Sequence, residues 1–421
     1  MRKTHFLLFS LAALLAAASV SCSTHLYDED IYRQLIHYYS PVDSVDQRHE
    51  WQLTTNQSFR INANTGSNIQ QAMILSEDPL TSSEAEVMNK TTVKSGGSVV
   101  LTVSVPMTKS TLYAALVDGS GNYYVTSFNT SVREVSFSNA TVGKPSYTPS
   151  PQTFTYLFEE NFPEPGDYDY NDLVLRIATE RTGEKEVTVH VTIAAVGGDY
   201  QMVGGIRLIG YRYQDIDSIK TTTGETFNEN VPQGSLYVFD KTDNLLKGRN
   251  NEAVMNLFVD AHWAMAFNVS ADYGLFQRKK YNVSSSTGGD YQLRTTRTLS
   301  YVVYFNKSDG LNNFTLDSLD PFIVTVYSGT NWETHTDEYR AAQVMFEYPS
   351  SDVKDLPWAL RVPSKDFYYP LEGIEIGFKK NGAMFGAYMT EGHSFGEWAE
   401  NYMDCLDWYE HQYATSIYVW Y

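Results

Sequence analysis

The amino-acid sequence predicts a mainly β protein: a small N-terminal, Ig-like β-sandwich, then a larger antiparallel, jelly-roll-like β-sandwich carrying a C-terminal amphipathic helix. Three observations predict this. Beyond residue 39 the apolar residues recur with period two, as in Ser98–Val105 (SVVLTVSV), which is the spacing of a half-buried strand. Tyr, Phe and Val dominate these runs, and such side chains fit a pleated surface. No strand–helix–strand alternation is present, which argues against a parallel α/β fold.

Taken in order, residues 1–21 read as a signal peptide. Arg2 and Lys3 are followed by an apolar run from Phe6 to Ala18 and by the small residues Ser19, Val20 and Ser21. The run is too short to span a membrane and the right size for export. Cys22 directly after it resembles the acylated cysteine of a bacterial lipobox, although Ser19 stands where Leu is usual. The thiol of Cys22 is therefore expected to be acylated, and two acyl chains on one residue anchor a protein stably. The only other cysteine is Cys405, so acylation of Cys22 rules out an intrachain disulfide, and stability must come from a packed core. No later stretch is long and apolar enough for a transmembrane helix. Residues 22–44 then form a tether with one short amphipathic helix, Tyr27–Tyr39, in which Ile31, Leu35 and Tyr38 share a face. The acidic Asp28, Glu29 and Asp30 resemble the tract that sends some lipoproteins to the outer surface, and equally suit a solvated tether. The expected location is the cell envelope, as an outer-membrane lipoprotein that is periplasm-facing or surface-exposed.

Residues 45–140 are read as the small β-sandwich. Within it two β-rich runs flank Asp118-Gly119-Ser120-Gly121-Asn122, a hairpin signal. A Pro/Ser-rich linker, 141–153, leads to the second domain, 154–421. Its strand candidates are Glu186–Val196, Ile206–Tyr211, Leu299–Phe305, Phe322–Tyr327 and Gly373–Phe378. Near the end, Ser394 and Glu397 have the spacing of a capping box. Phe395, Trp398, Ala399, Tyr402, Cys405, Leu406 and Tyr409 follow as a helical apolar stripe, read as core packing, with Cys405 a buried, inert thiol. Trp358 is likewise read as packing.

The formal net charge is −19, and two units more negative once Arg2 and Lys3 leave with the signal. Such a surface repels phosphate backbones, so nucleic acid is excluded as a partner; it attracts cations.

The sharpest local signal is FEENFPEPGDYDYNDLVL at 158–175. It contains Glu159, Glu160, Glu164, Asp167, Asp169 and Asp172, and no Lys or Arg occurs between Lys144 and Arg176. Two carboxylates about 4 Å apart repel by about 4 kcal/mol at an effective dielectric of 20, so tight folding calls for positive compensation. Asp167, Asp169 and Asn171 alternate with Tyr168 and Tyr170, which lets the oxygens converge on one side. An oxygen-only set of this kind suits Ca²⁺; zinc lacks a nearby His or Cys. The spacing is not that of an EF-hand, since Asp172 occupies its glycine position and Ala178 its final glutamate position. A solvated acidic turn is the plainer reading of the same residues.

The segment GDYDYNDLVL, preceded by Phe158-Glu159-Glu160, resembles the signature of LruC-type domains, a family of uncharacterised function found in bacterial surface lipoproteins. Leu319-Asp320-Pro321-Phe322-Ile323, Glu333-Thr334-His335, Leu356-Pro357-Trp358-Ala359-Leu360, Val362-Pro363, Tyr369-Pro370, Glu372, Trp398-Ala399 and Asp407-Trp408-Tyr409 follow in the family's order. Together they cover roughly 154–413. Ser318 stands where the family has Asp, and Asp320 where it has Asn. The resemblance implies a β-rich, calcium-dependent extracellular domain, with Asp167, Asp169, Asn171 and Asp172 as metal ligands and Glu160 and Asp320 as second choices. The ion's role is expected to be structural.

Three functions are compatible with these features. The first is a non-enzymatic surface protein for binding or adhesion to a glycan or protein ligand. The second is an extracellular carbohydrate-active hydrolase using paired carboxylates. The third is a structural subunit of an envelope or surface-fibre assembly. The sequence contains no Gly-x-Ser-x-Gly, His-Glu-x-x-His or Cys–His nucleophile pattern, which tilts against an enzyme. His335 and His393 stand isolated in sequence and are read as structural.

Overall fold

A computed structural model of the chain describes residues 40–66, 68–232, 237–265, 280–282, 296–327, 330–336, 355–413 and 418–419, together with Gln34. The expected signal peptide, the expected lipidation site Cys22 and, apart from Gln34, the short helix expected over 27–39 lie outside the described residues.

The first sandwich contains β1 (Thr54–Asn62), β2 (Ile69–Leu75), β3 (Glu86–Thr92), β4 (Ser98–Pro106), β5 (Thr111–Asp118), β6 (Tyr123–Asn129), β7 (Glu134–Val135), β8 (Thr141–Gly143) and β9 (Ser150–Pro151). A three-stranded sheet, β4-β1-β7, faces a six-stranded one, β8-β6-β5-β2-β3-β9. Alternate residues such as Phe59, Ile61, Leu101, Val103, Leu112 and Ala114 fill the space between them, as period-two patterning requires. The hairpin forms where its turn residues foretold: Val117 pairs with Tyr123, Gly121 takes the left-handed φ of +77°, and Asp118 accepts from the N–H groups of Ser120 (2.8 Å) and Asn122 (2.9 Å). The stretch read as a linker over 141–153 carries strand at both ends. Its β8 pairs with β6 and its β9 runs parallel to β3, so it is stitched to the first sandwich.

The second sandwich is built from β10 (Thr153–Phe158), β11 (Leu173–Arg181), β12 (Glu186–Val196), β13 (Gln201–Arg212), β14 (Ile216–Thr221), β15 (Leu245–Lys247), β16 (Glu252–Phe258), β17 (Arg297–Phe305), β18 (Leu319–Tyr327), β19 (Thr330–His335) and β20 (Ala359–Val362). Its sheets run β14-β17-β12-β11-β10-β20 and β15-β16-β13-β18-β19, and all their pairings are antiparallel. On β12 the alternating Val187, Val189, Val191 and Ile193 point into the largest core, with Phe154, Leu175, Met255 and Tyr301.

The other face of the six-stranded sheet is also covered. Leu157, Val174, Ala194 and Leu360 pack beneath an aromatic layer that includes Tyr369, Tyr388, Phe395, Trp398 and Trp408. Residues 40–53 join this layer rather than the first sandwich. Trp51 stacks on His49 at 3.7 Å and meets Trp398 edge-on at 5.3 Å, and Asp46 N–H donates to the Ala399 carbonyl at 3.0 Å. The first sandwich thus starts at Thr54.

Two expectations for the C-terminal region are corrected. The capping box forms, Ser394 Oγ accepting from Glu397 N–H at 3.1 Å, but the helix α1 (Phe395–Glu400) is short. Asn401 is extended, Cys405 adopts φ of +50°, and a 3₁₀ turn at Trp408–Glu410 brings the remaining apolar residues onto the same core. Periodicity reported the buried face, which a turn and a 3₁₀ segment can share with a helix. Cys405 is half-buried where full burial was expected, and burial together with the Glu397 charge pushes its thiol up to about 11, which favours the protonated form. Gly373–Phe378 is no strand; pairing begins only at Phe378. Gly373 and Gly377 take φ of +76° and +140°, and the Tyr388 backbone occupies the space a Cβ at residue 377 would need.

The two sandwiches are joined by buried polar contacts. Arg361 on β20 pairs with Asp317 at 2.9 Å and donates to Thr54 Oγ1 at 3.1 Å, while Thr54 also donates to Asp317. Asn89 Nδ2 donates to the Asn312 carbonyl at 3.0 Å. Arg361→Ala leaves Asp317, 10% exposed, without its cation. The expected loss is about 3 kcal/mol, read from the chemical-denaturation midpoint; a midpoint equal to the parent's would show that the ion pair contributes nothing.

Candidate metal centre

The acidic segment is the connection from β10 to β11, on the six-stranded sheet. Its start is fixed by Glu159 N–H donating to the Trp358 carbonyl at 2.8 Å, and Trp358 Nε1 donates to the Glu164 carbonyl at 3.1 Å. Trp358 is 3% exposed and meets Phe162 edge-on at 5.1 Å. It is packing, and the packing holds the acidic loop down.

The tyrosines and the acids do separate onto two sides, but not by an extended run. Tyr168 and Tyr170 both lie in the left-handed region, φ +58° and +54°, a conformation costing a non-glycine residue about 1–2 kcal/mol. Burial of their rings in the aromatic layer and the bond from Tyr170 Oη to the Pro357 carbonyl, 2.7 Å, offset that cost. The two kinks curl the chain so that Asp167 and Asp169 face Glu159. One carboxylate oxygen from each of these three residues lies within 4.8 Å of the others.

Glu159 is fully buried and Asp169 is 1% exposed, while Asp167 sits at the mouth. Glu159 Oε1 accepts from Tyr170 N–H at 2.6 Å; its buried Oε2 accepts no hydrogen bond among the described residues. Asp169 accepts from the N–H groups of Asn171 (3.2 Å) and Gly373 (2.7 Å). The Gly373 bond brings Glu372 alongside. Two further buried oxygens, Asn171 Oδ1 and Glu372 Oε2, also accept no hydrogen bond among the described residues. Both crowd the position a Cβ would take on Gly197, as Glu159 Oε2 crowds that of Gly166. These glycines leave room for the oxygens.

The electrostatic consequence is large. Burial, then the charges of Asp167 and Glu372, push Asp169 up to about 8. Burial, then Asp172, Asp169 and Asp167, hold Glu159 well above the usual carboxylate range. Burial and the charges of Glu160 and Asp169 do the same to Asp172. Among the described residues, Lys280 is the cation at the edge of the cluster, bonding Glu372 at 2.8 Å and Asp199 at 3.3 Å, and one ammonium cannot balance this many carboxylates. Oxygens on a common Ca²⁺, each about 2.3–2.6 Å from it, are at most about 5 Å apart. The Glu159–Asp167–Asp169 set meets that condition, and its all-oxygen chemistry suits a hard cation.

The expected ligand residues divide accordingly. Asp167 and Asp169 converge, and Asn171 lies next to them. Asp172 is buried beneath, its Oδ2 accepting from Glu160 N–H at 2.8 Å and its carbonyl from Gly197 and Gly198. Glu160, a second choice, turns away. Its carboxylate accepts from the N–H groups of Asp199 and Tyr200, and burial pushes it up to about 7 against those bonds. Asp320 is on the other sheet, in β18. There its Oδ2 bonds His335 at 2.8 Å and lies 3.5 Å from Arg207, so its oxygen serves that network. Glu159 joins Asp167 and Asp169 in the convergent set, and Glu372 lies beside them, its charge among those acting on Asp169. Glu159 stands in the same acidic string, whereas Glu372 is distant in sequence and was visible only as a member of the motif series.

The fold and this loop define a mainly β protein of two joined sandwiches with a buried, oxygen-rich cluster. The chain belongs to the family described as a domain of unknown function, DUF4842, whose model matches residues 185–401; the acidic loop precedes the matched stretch. A crystal structure of a lipoprotein, so described, from Bacteroides ovatus is similar with a TM-score of 0.49 and 15% sequence identity, covering 85% of this chain and 100% of that one. No curated protein matches the chain significantly.

Proposed function

We propose that this chain is a lipid-anchored cell-envelope protein, tethered through acylated Cys22, whose second sandwich is an LruC-type domain braced by one structural Ca²⁺ ion. In this reading the protein binds or adheres to an extracellular glycan or protein and does not turn it over. The observation that carries the reading is the convergence of Glu159, Asp167 and Asp169 around a buried oxygen, Glu159 Oε2, that accepts no hydrogen bond among the described residues. A carboxylate left so in the interior costs several kcal/mol unless a proton or a cation neutralises it.

The same burial speaks against the hydrolase alternative. Paired catalytic carboxylates stand about 5–10 Å apart and must both reach the scissile bond of a sugar between them, whereas Glu159 and Asp169 are 0% and 1% exposed and bonded to backbone. Room for a ligand exists elsewhere. A cleft of about 860 Å³ between the sandwiches is lined by Lys90, Arg181, Asn312 and Asn313 among others, a size that suits an extracellular oligosaccharide or peptide segment.

Titration of the chelator-treated full chain with calcium, followed by calorimetry, tests the site. One ion per chain is expected to bind. Glu159→Gln and Asp169→Asn are each expected to weaken it by at least about tenfold, while Asp320→Asn leaves it unchanged. Equal calcium affinity in parent and Asp169→Asn would remove the basis of the proposal. A glycan array probed with and without chelator then separates a role in binding from a purely structural one.

A further inference from the structure

His393 stands alone in sequence, yet the fold brings it against Asp407 and His411. His393 Nδ1 lies 3.0 and 2.9 Å from the two Asp407 oxygens. His411 Nε2 lies 3.1 Å from Asp407 Oδ2. The imidazoles stack with centroids 3.9 Å apart and an interplanar angle of 26°, so both rings address one carboxylate from the same side. One ligand atom from each residue falls within 4.8 Å of the other two.

We propose that His393, Asp407 and His411 form a site for a borderline divalent transition metal, zinc above all, separate from the acidic loop. Two imidazole nitrogens and one carboxylate oxygen are the donor set of three-ligand zinc centres, in which a fourth position stays open. Hard ions such as Ca²⁺ prefer all-oxygen sets, so the two clusters differ in selectivity. Zinc–ligand distances of about 2.0–2.2 Å at a tetrahedral angle place neighbouring donors about 3.3–3.5 Å apart. The observed 2.9–3.1 Å separations are hydrogen-bond distances to Asp407; binding an ion requires the two half-exposed rings, now stacked, to splay apart so that their in-plane lone pairs converge on it.

The surroundings support the assignment. The side chains of His393, His411 and Asp407 are 42%, 37% and 29% exposed, which leaves a face through which an ion and a water can enter. Their backbones are nonetheless rigid. Ser394 and Trp408, the next residues along the chain, are 0% exposed. His393 N–H donates to the Thr390 carbonyl at 2.9 Å, and Thr390 Oγ1 donates to the His411 carbonyl at 3.1 Å, clipping the two ligand-bearing turns together. A site whose ligands are held by the core in this way loses little entropy on binding.

The test uses the full chain in detergent with calcium kept saturating, titrated with zinc chloride in a calorimeter and, in parallel, with Co²⁺ followed by visible absorption. The expected result is one zinc ion per chain and a tetrahedral Co²⁺ spectrum. Both should weaken by at least about tenfold in His393→Gln and in His411→Gln, with near-ultraviolet circular dichroism and calcium affinity as in the parent. Folded variants that bind zinc as tightly as the parent, or a parent that shows no saturable zinc binding, would overturn the proposal. Should a variant fail to fold, modification of the parent by diethyl pyrocarbonate decides. Zinc is expected to protect His393 and His411 from the reagent, and equal labelling with and without zinc counts against the site.

Discussion

Chelating calcium at neutral pH is expected to lower the thermal midpoint of the second sandwich by about 5–10 °C. The figure follows from mass action. An ion at a hundredfold excess over its Kd stabilises the folded state by about 2.7 kcal/mol, and one kcal/mol moves the midpoint of a domain of this size by about 2–4 °C. The physical source is the cluster itself: Glu159, Asp169 and Asp172 are all at most 5% exposed. Without a cation they must repel one another at short range or take up protons. Calcium competes with those protons, so the gap between the calcium and chelator melts should narrow as the pH falls toward 5. In Asp169→Asn the gap should be small at every pH. Identical melts with and without chelator, measured by calorimetry on the parent, would show that the loop is neutralised by protons alone.

His335→Gln should be the most damaging single substitution away from that loop. His335 is 1% exposed and lies between Asp320 at 2.8 Å and Glu333 at 3.2 Å, both fully buried. Phe322 stacks on its ring at 4.8 Å, and Arg207 extends the network to Glu252 at 2.7 Å. Burial pulls the imidazolium down, but the two carboxylates outweigh it and push His335 up to about 9. The folded value therefore exceeds the unfolded one of about 6.5. Its contribution to stability is complete below pH about 6.5, declines between there and 9, and is gone above. A shift of this size is worth about 3 kcal/mol. Glutamine removes the cation held between Asp320 and Glu333 and leaves Arg207 to face Asp320 from 3.5 Å, at a cost of about 3 kcal/mol near pH 6. The difference between parent and variant in urea midpoint should shrink by pH 9.5, where the parent has lost its own imidazolium. A difference that stays constant across that range would mean that His335 is neutral in the folded protein.

Both experiments turn on features the sequence presented unevenly. Strand β12, the Asp118 hairpin and the Ser394–Glu397 cap were legible because each depends on neighbours within a few residues: alternation, turn chemistry and one local hydrogen bond. The extent of the C-terminal helix was not. Tyr402, Cys405 and Tyr409 carry helical spacing, and the chain meets the same core through Cys405 in the left-handed region and a 3₁₀ turn. The acidic string was plain, yet its internal roles were not. Glu159 faces inward and Glu160 faces the Asp199–Tyr200 backbone, a difference of one residue decided by where β10 stops.

The sequence by itself determined the β class, the two-sandwich order and the place where negative charge accumulates, since these follow from composition, period and short-range turn chemistry. Only the tertiary structure decided which acids meet. Glu372 reaches Asp169 through the Gly373 bond, Asp320 is claimed by His335 on the opposite sheet, and His393 finds Asp407 and His411. Such convergence depends on the register between strands and on the turns that close them. Those are properties of the whole packed chain, and no window of sequence contains them.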